Sequence, residues 1–322
     1  MSIESAHKID SSIQFIEEQL NDSVGNLEKY PKYINIETVN TCNARCIMCG
    51  IDFDKRKNIK MDDALFDKII NEIELNSEYV ERINLFFDNE PLMDKSLPEK
   101  IKRLKNSGIK NVMIASNGSI ISETAARKLV ESGLDEIYLS IDSLKPEVYE
   151  KIRVGLSFER VYKNIRGLIK VRNDYNSSLK IRLQMVLQEE NKSESKEFIE
   201  HWKQHLRKDD VVVVFRAHNW GGVVDVEGFD GDENLNKIPC TILWSNIMIH
   251  SDGSVALCSV DTEQDSQYTL GNINESSIKE VWNGAVLNEY RKNHLLWRKD
   301  KYKLCDGCTT WREDPKEEYI KL

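Results

Sequence analysis

Six short apolar or β-branched runs, at 33–39, 82–87, 111–116, 136–142, 180–187 and 211–217, are separated by stretches of helical period. In the first such stretch, 65–75, Leu65, Phe66, Ile69, Ile70 and Ile73 fall on one face. Further helices are expected at about 96–107, 122–132, 158–173 and 193–205, with Gly108 and Gly133 as C-terminal stops. Strands alternating with helices make a parallel sheet, because a parallel pair needs a crossover long enough to hold a helix. Six units over about 185 residues suit a partial barrel better than a closed eightfold one. The expected fold class is therefore α/β, a partial (β/α)6 TIM-like barrel. Chemistry in such sheets gathers at the carboxyl ends of the strands.

The barrel is expected to span 33–235, between an N-terminal helical extension at 1–32 and a smaller domain at 236–322. The extension carries Ile13, Phe15, Ile16 and Leu20 as its apolar residues. In the last part, 246–258 reads as a hairpin turning at Asp252-Gly253, and 277–295 as one helix. A formal net charge of −9, with both signs mixed along the chain, gives no footprint for nucleic acid or an anionic membrane. The N-terminus has no basic segment leading into an apolar one. Apolar runs such as Val211–Phe215 are far too short to span a bilayer. A soluble, cytoplasmic protein is expected, and there seven cysteines do not read as a disulfide framework.

Those cysteines form a triplet, Cys42, Cys46 and Cys49, and a distant set, Cys240, Cys258, Cys305 and Cys308. The triplet has the spacing C-x3-C-x2-C and follows the first strand directly. Three thiolates within eight residues can hold three irons of a cubane and leave the fourth open. Zinc would want a fourth protein ligand, and no nearby His or Cys offers one. The back set, two separated cysteines plus a C-x2-C knuckle, is a four-thiolate site that suits zinc or a cubane.

A triplet after the first strand of a β/α array resembles the radical S-adenosylmethionine (SAM) superfamily. The resemblance implies a [4Fe-4S] cluster whose open iron chelates SAM, and a 5′-deoxyadenosyl radical that abstracts hydrogen from substrate. It also implies a one-electron reductant such as flavodoxin or ferredoxin. Asp88-Asn89-Glu90-Pro91 is similar to the family's Gly-Gly-Glu-Pro without its glycines, which implicates Glu90 and Asn89 at the SAM amino group. Ser116-Asn117-Gly118 and Ser140-Ile141-Asp142 are similar to motifs ending the third and fourth strands. Arg153 resembles an arginine that pairs with the SAM carboxylate, a task for which a guanidinium fork is suited. Gln184, on the fifth strand, is placed to reach the ribose, and Met48 occupies a position near adenine.

The C-terminal segment resembles the SPASM and twitch extensions of this superfamily, which favours an auxiliary [4Fe-4S] cluster on the back set. Three plus four uses every cysteine, so no thiol is left to return a hydrogen. Oxidation follows more naturally, and the cysteine spacing is similar to that of 2-deoxy-scyllo-inosamine dehydrogenases. The expected substrate is a small carbohydrate-like or aminocyclitol alcohol, with a ribosomal peptide or an epimerised sugar as alternatives. Arg216 and His218 are candidate substrate-binding or proton-accepting residues, provided that Phe215 faces the helices.

Overall fold

The structure, a computed structural model, describes residues 3–53, 58–217, 220, 235–262, 267–308 and 318–321. Helices α1 (Ile3–Leu20) and α2 (Val24–Leu27) lead into β1 (Tyr33–Ile36), and β2 (Arg45–Cys46) lies in the cysteine loop. There follow α3 (Asp63–Leu75), β3 (Arg82–Asn84), α4 (Leu97–Asn106), β4 (Val112–Ser116), α5 (Glu123–Glu131) and β5 (Glu136–Ser140). Then come α6 (Pro146–Ile152), β6 (Arg153–Val154), α7 (Phe158–Asp174), β7 (Lys180–Leu187), α8 (Ser195–Lys203) and β8 (Val211–Arg216). The C-terminal part holds α9 (Ile242–Ser245), β9 (Asn246–Ile249), β10 (Ser254–Ala256), β11 (Gly271–Asn272), α10 (Ile278–Trp282), α11 (Ala285–Leu295) and β12 (Glu318–Lys321).

β1, β3, β4, β5, β7 and β8 pair in that order, and every pairing is parallel. Local chemistry sets the helix ends. The side chains of Asp62 and Ser122 accept from the backbone N–H groups of Ala64 and Ala125, and Gly108 and Gly133 follow α4 and α5 at φ +80°. Strand residues Ile83, Ile114, Leu139 and Leu183 are buried together with Phe66 and Leu129 from the helices in one continuous core. Among the described residues, no helix is long and apolar enough to cross a membrane.

The C-terminal segment does not stand apart from this sheet. β9 pairs parallel with β1, the antiparallel β10 and β11 extend that edge, and β12 pairs antiparallel with β8 at the other. The sheet therefore has ten strands, β11-β10-β9-β1-β3-β4-β5-β7-β8-β12. An edge strand offers a row of unpaired N–H and C=O groups, and these strands satisfy it. The expected hairpin is present as β9 and β10, with Gly253 in its turn at φ +87°. The single helix expected at 277–295 is two, because Gly284 takes an extended conformation and caps α11. The short α6, opened by Pro146, has no counterpart in the expectation.

The N-terminal extension braces the C-terminal part. Trp297 Nε1 donates to Ser12 Oγ (3.1 Å), Ser12 Oγ donates to the Leu295 carbonyl (3.2 Å), and Trp282 Nε1 donates to the Leu27 carbonyl (3.0 Å). From the barrel side, the Glu72 carboxylate on α3 accepts from the N–H groups of Ile278 (2.7 Å) and Lys279 (2.8 Å). An anion at the start of α10 satisfies donors that the helix itself leaves open.

A buried ion pair ties the far end of the array together. Arg172 on α7 and Asp210 before β8, each with a side chain 1% exposed, meet through two contacts of 2.8 Å. Asp210 also accepts from the N–H groups of Ile181 (2.9 Å) and Arg207 (2.8 Å). Asp210→Ala would leave a buried guanidinium without its counter-charge, a loss expected to cost ~3–5 kcal/mol. A thermal melt of the anaerobic holoenzyme should show a clear drop in Tm, and an unchanged Tm would refute this account of the pair.

Candidate active site and auxiliary cysteine site

The cysteine loop is closed at its neck by backbone pairing. Met61 N donates to the Thr38 carbonyl (2.9 Å), and Ile59 N to Asn40 Oδ1 (2.7 Å). Inside the loop, β2 pairs antiparallel with β6, which sets Cys46 opposite Arg153. Arg153 Nη1 donates to Cys46 Sγ (3.4 Å), and Asn117 Nδ2 lies 4.0 Å from Cys42 Sγ. Burial pushes the thiols of Cys42 and Cys49 up to about 11. Both therefore stay protonated until a cation compensates, as bound iron does for thiolate ligands.

The triplet opens onto a cavity of about 340 Å³ at the carboxyl ends of the strands. Met48, Asn89, Glu90, Ser116, Asn117, Ser140, Arg153 and Gln184 all line it, together with the three cysteines. Glu90 is held from two strands. Its carboxylate accepts from Ser116 Oγ (2.8 Å), Asn117 N (2.7 Å) and Leu92 N (3.2 Å). Full burial outweighs these bonds and the nearby Arg153 charge, and pushes Glu90 up to about 7. A carboxylate has about four acceptor positions, so one remains for a donor in the cavity. Asn89 Oδ1 accepts from Phe87 N (3.0 Å), while its Nδ2 is buried with no hydrogen-bond partner among the described residues. That orphaned donor fits a polar ligand. Gln184 Nε2 donates to Ser140 Oγ (3.0 Å), which links the end of β5 to the middle of β7.

Two other sequence candidates lie off the cavity wall. Asp142 is fully buried behind it, where it pairs with Arg153 Nε and accepts from Val186 N (2.7 Å). Burial opposes the Arg153 charge, but Asp142 and the Cys46 sulfur hold its pKa above the ordinary arginine value. The second is Arg216. Phe215 and Ala217 line the cavity and Arg216 does not, so the condition that Phe215 faces the helices is not met. Successive strand residues point to opposite faces, which sends Arg216 away from the mouth. His218 lies outside the described residues.

The sequence reading missed the aromatic side of the cavity: Phe53, Phe86, Phe87, Phe215 and Trp220. The Phe86-Phe87 pair at a strand end was its available signal. Gly50, beside Cys49, makes room for the Trp220 ring, because a Cβ there would sit 2.9 Å from Trp220 Cγ.

Cys240, Cys258, Cys305 and Cys308 line a second, small cavity walled by aliphatic residues including Leu243, Leu257 and Leu304. Cys240 precedes α9, Cys258 follows β10, and Cys305 and Cys308 sit in a turn where Cys308 N donates to the Cys305 carbonyl (3.3 Å). Burial drives the thiols of Cys240, Cys258 and Cys305 far upward. Among the described residues, no three His, Cys, Asp or Glu side chains already surround one point as the ligands of a single ion do. A cubane asks for less convergence, because each thiolate takes its own iron.

A cysteine triplet after the first strand, a cavity beside it with polar and aromatic sides, and a second four-cysteine cavity make this an iron–sulfur protein of the β/α barrel type. The chain belongs to the radical SAM superfamily, whose family model matches residues 36–201, half of the chain. A second model, the SPASM iron–sulfur cluster-binding domain, matches residues 240–309. The chain accordingly uses SAM and a radical SAM [4Fe-4S] cluster, and carries a SPASM auxiliary cluster.

Among solved structures, BtrN in complex with AdoMet and 2-DOIA aligns with TM-score 0.59 at 18% identity, covering 88% of this chain and 94% of that one. AnSMEcpe with bound AdoMet aligns with TM-score 0.59 at 18% identity, covering 86% and 89%. Streptococcus suis SuiB bound to precursor peptide SuiA gives TM-score 0.63 at 14% identity, covering 81% and 66%. At such identities the likeness concerns the fold alone. Among curated relatives, a probable GTP 3′,8-cyclase of Methanococcus maripaludis is 35% identical over 130 residues, 40% of this chain and 43% of the relative. A GTP 3′,8-cyclase of Limosilactobacillus fermentum is 29% identical over 183 residues, 55% and 52% of the two lengths. The chain thus spans about half the length of the curated relatives it matches, or somewhat less.

Proposed function

We propose that this protein is a radical SAM oxidoreductase that dehydrogenates a small polar alcohol, with a carbohydrate-like or aminocyclitol substrate favoured. The observation that carries the reading is that all four back cysteines line one small cavity. With the triplet at the other cavity, all seven cysteines have a place as ligands. In this reading Cys42, Cys46 and Cys49 hold the SAM-binding cluster, and Cys240, Cys258, Cys305 and Cys308 hold the auxiliary [4Fe-4S] cluster. Bound in this way, SAM on the triplet's cluster would supply a 5′-deoxyadenosyl radical able to take a hydrogen atom from the carbinol carbon, and a cluster on the four back cysteines would supply an acceptor for the remaining electron, the proton going to a base or water.

The chain's own residues bind and orient. Glu90 and Asn89 receive the SAM amino group, and Ser116 and Asn117 hold Glu90 and the triplet in place. Arg153 takes the carboxylate, and Asp142 behind it fixes the guanidinium. Ser140 and Gln184 serve the ribose, and Met48 packs beside the adenine. A second reading, modification of a peptide, draws on the aromatic wall of Phe86, Phe87, Phe215 and Trp220, which suits an apolar side chain. SuiB, bound to its precursor peptide, shares this fold.

The test combines iron content with a substrate screen. Anaerobic reconstitution should give ~8 irons per chain for two cubanes. Substrate-dependent 5′-deoxyadenosine should appear with an aminocyclitol or sugar, against GTP and peptides as comparison substrates. The product should be two mass units lighter than the substrate. An isomer carrying one solvent deuterium would instead show epimerisation and sink the dehydrogenase reading.

A further inference from the structure

His294 lies on α11, is 1% exposed, and lines the cavity of the four back cysteines. Its Nδ1 accepts a hydrogen bond from the backbone N–H of Cys240 (3.2 Å). A neutral imidazole has one donor and one acceptor nitrogen, so this bond places the proton on Nε2. Nε2 is buried and has no hydrogen-bond partner among the described residues. A buried donor without an acceptor is costly in a folded protein. Apart from Ser259, the side-chain acceptors that line this cavity are the sulfurs of the four cysteines, to which a bound cluster would add its own.

We infer that His294 donates a hydrogen bond from Nε2 to the auxiliary cluster, and by doing so raises its reduction potential and makes it a better electron acceptor. The inference rests on the assignment of the four cysteines to that cluster. Hydrogen bonds to cluster sulfurs stabilise the more negative, reduced state more than the oxidised one. The same residue fixes a ligand, because its Nδ1 holds the Cys240 backbone.

The test is an EPR-monitored redox titration of the full chain, reconstituted anaerobically. The front triplet is replaced by alanine throughout, so that only the auxiliary cluster signals. His294→Leu removes both hydrogen bonds, whereas His294→Gln can offer a carbonyl to Cys240 N and an N–H to the cluster. The expected result is a shift to more negative potential in His294→Leu by about tenfold in the reduction equilibrium, ~59 mV for one electron. His294→Gln should restore most of that shift. An unchanged potential in His294→Leu with ~4 irons still bound would overturn the inference and leave the cluster reading intact. Should His294→Leu fail to load the cluster, 15N-histidine labelling of the parent chain decides. A 15N hyperfine coupling on the reduced cluster supports the bond, and its absence overturns it. Failure of the parent chain to bind any cluster at the back cysteines would overturn both readings.

Discussion

Replacing Cys46 with alanine is expected to reduce SAM cleavage by at least ~10³-fold, on the order of 4 kcal/mol in the barrier. In the proposed assignment each of the three thiolates would serve one iron of a cluster whose fourth iron stays open for SAM, which leaves the site no spare ligand. Cys46 also lies at a mechanical junction. It is paired in register with Arg153, whose Nη1 donates to its sulfur, and Arg153 is in turn held by Asp142. The protein itself should survive the change, because Cys46 is only partly buried and packs at the margin of a core that is filled chiefly by residues of the sheet and its helices. The measurements are 5′-deoxyadenosine formation under strong reductant, iron content and Tm. Iron should fall from ~8 to ~4 per chain with Tm nearly unchanged. Cleavage at the parent rate by Cys46→Ala would remove the triplet from the catalytic site.

The β/α array, the Cys42-Cys46-Cys49 triplet and the Cys305-Cys308 knuckle were legible in the sequence because each is a local signal. Strand runs such as Lys180–Leu187 and the face of Leu65, Phe66, Ile69, Ile70 and Ile73 carry their periods within a few residues. The strand-end positions of Asn89, Glu90 and Asn117 followed from that array, Gln184 stood out as a polar residue in an apolar strand, and the structure gathers them on one cavity. What stayed hidden is non-local. Nothing around Asn246–Ile249 says that this strand joins β1 in parallel, because pairing partners are chosen by the whole sheet. The docking of α1 on α11 through Ser12 and Trp297 links residues that are 285 apart in sequence. Arg216 illustrates a different obstacle. In Val211–Arg216 nearly every residue is apolar, so the run carries no alternation to fix which parity faces the mouth. Asp142 was found as a polar strand-end residue, but its place behind Arg153 depends on the turn that follows α6.

Replacing Cys258 with serine is expected to separate the two halves of the reaction. The barrel cavity shares no lining residue with the auxiliary one, so SAM binding and its reductive cleavage should persist. Under the proposed dehydrogenation, product formation should fall by about 100-fold or more, ~2.7 kcal/mol, because the substrate radical would then have no nearby centre to take its electron. The choice of serine over a larger residue matters. β9 lies on the same sheet as β1, and Glu72 of the barrel caps α10, so a bulky replacement would strain the barrel as well. Serine keeps the volume close to that of cysteine while removing the soft thiolate that iron prefers. The diagnostic outcome is a divergence: 5′-deoxyadenosine still formed, oxidised product nearly absent, and ~4 irons per chain in place of ~8. Equal loss of both products would show that the back site holds the barrel together without accepting the electron. Oxidation at the parent rate would show that the electron leaves by another route. Divergence alone supports a chain in which one cluster starts the radical and the other ends it.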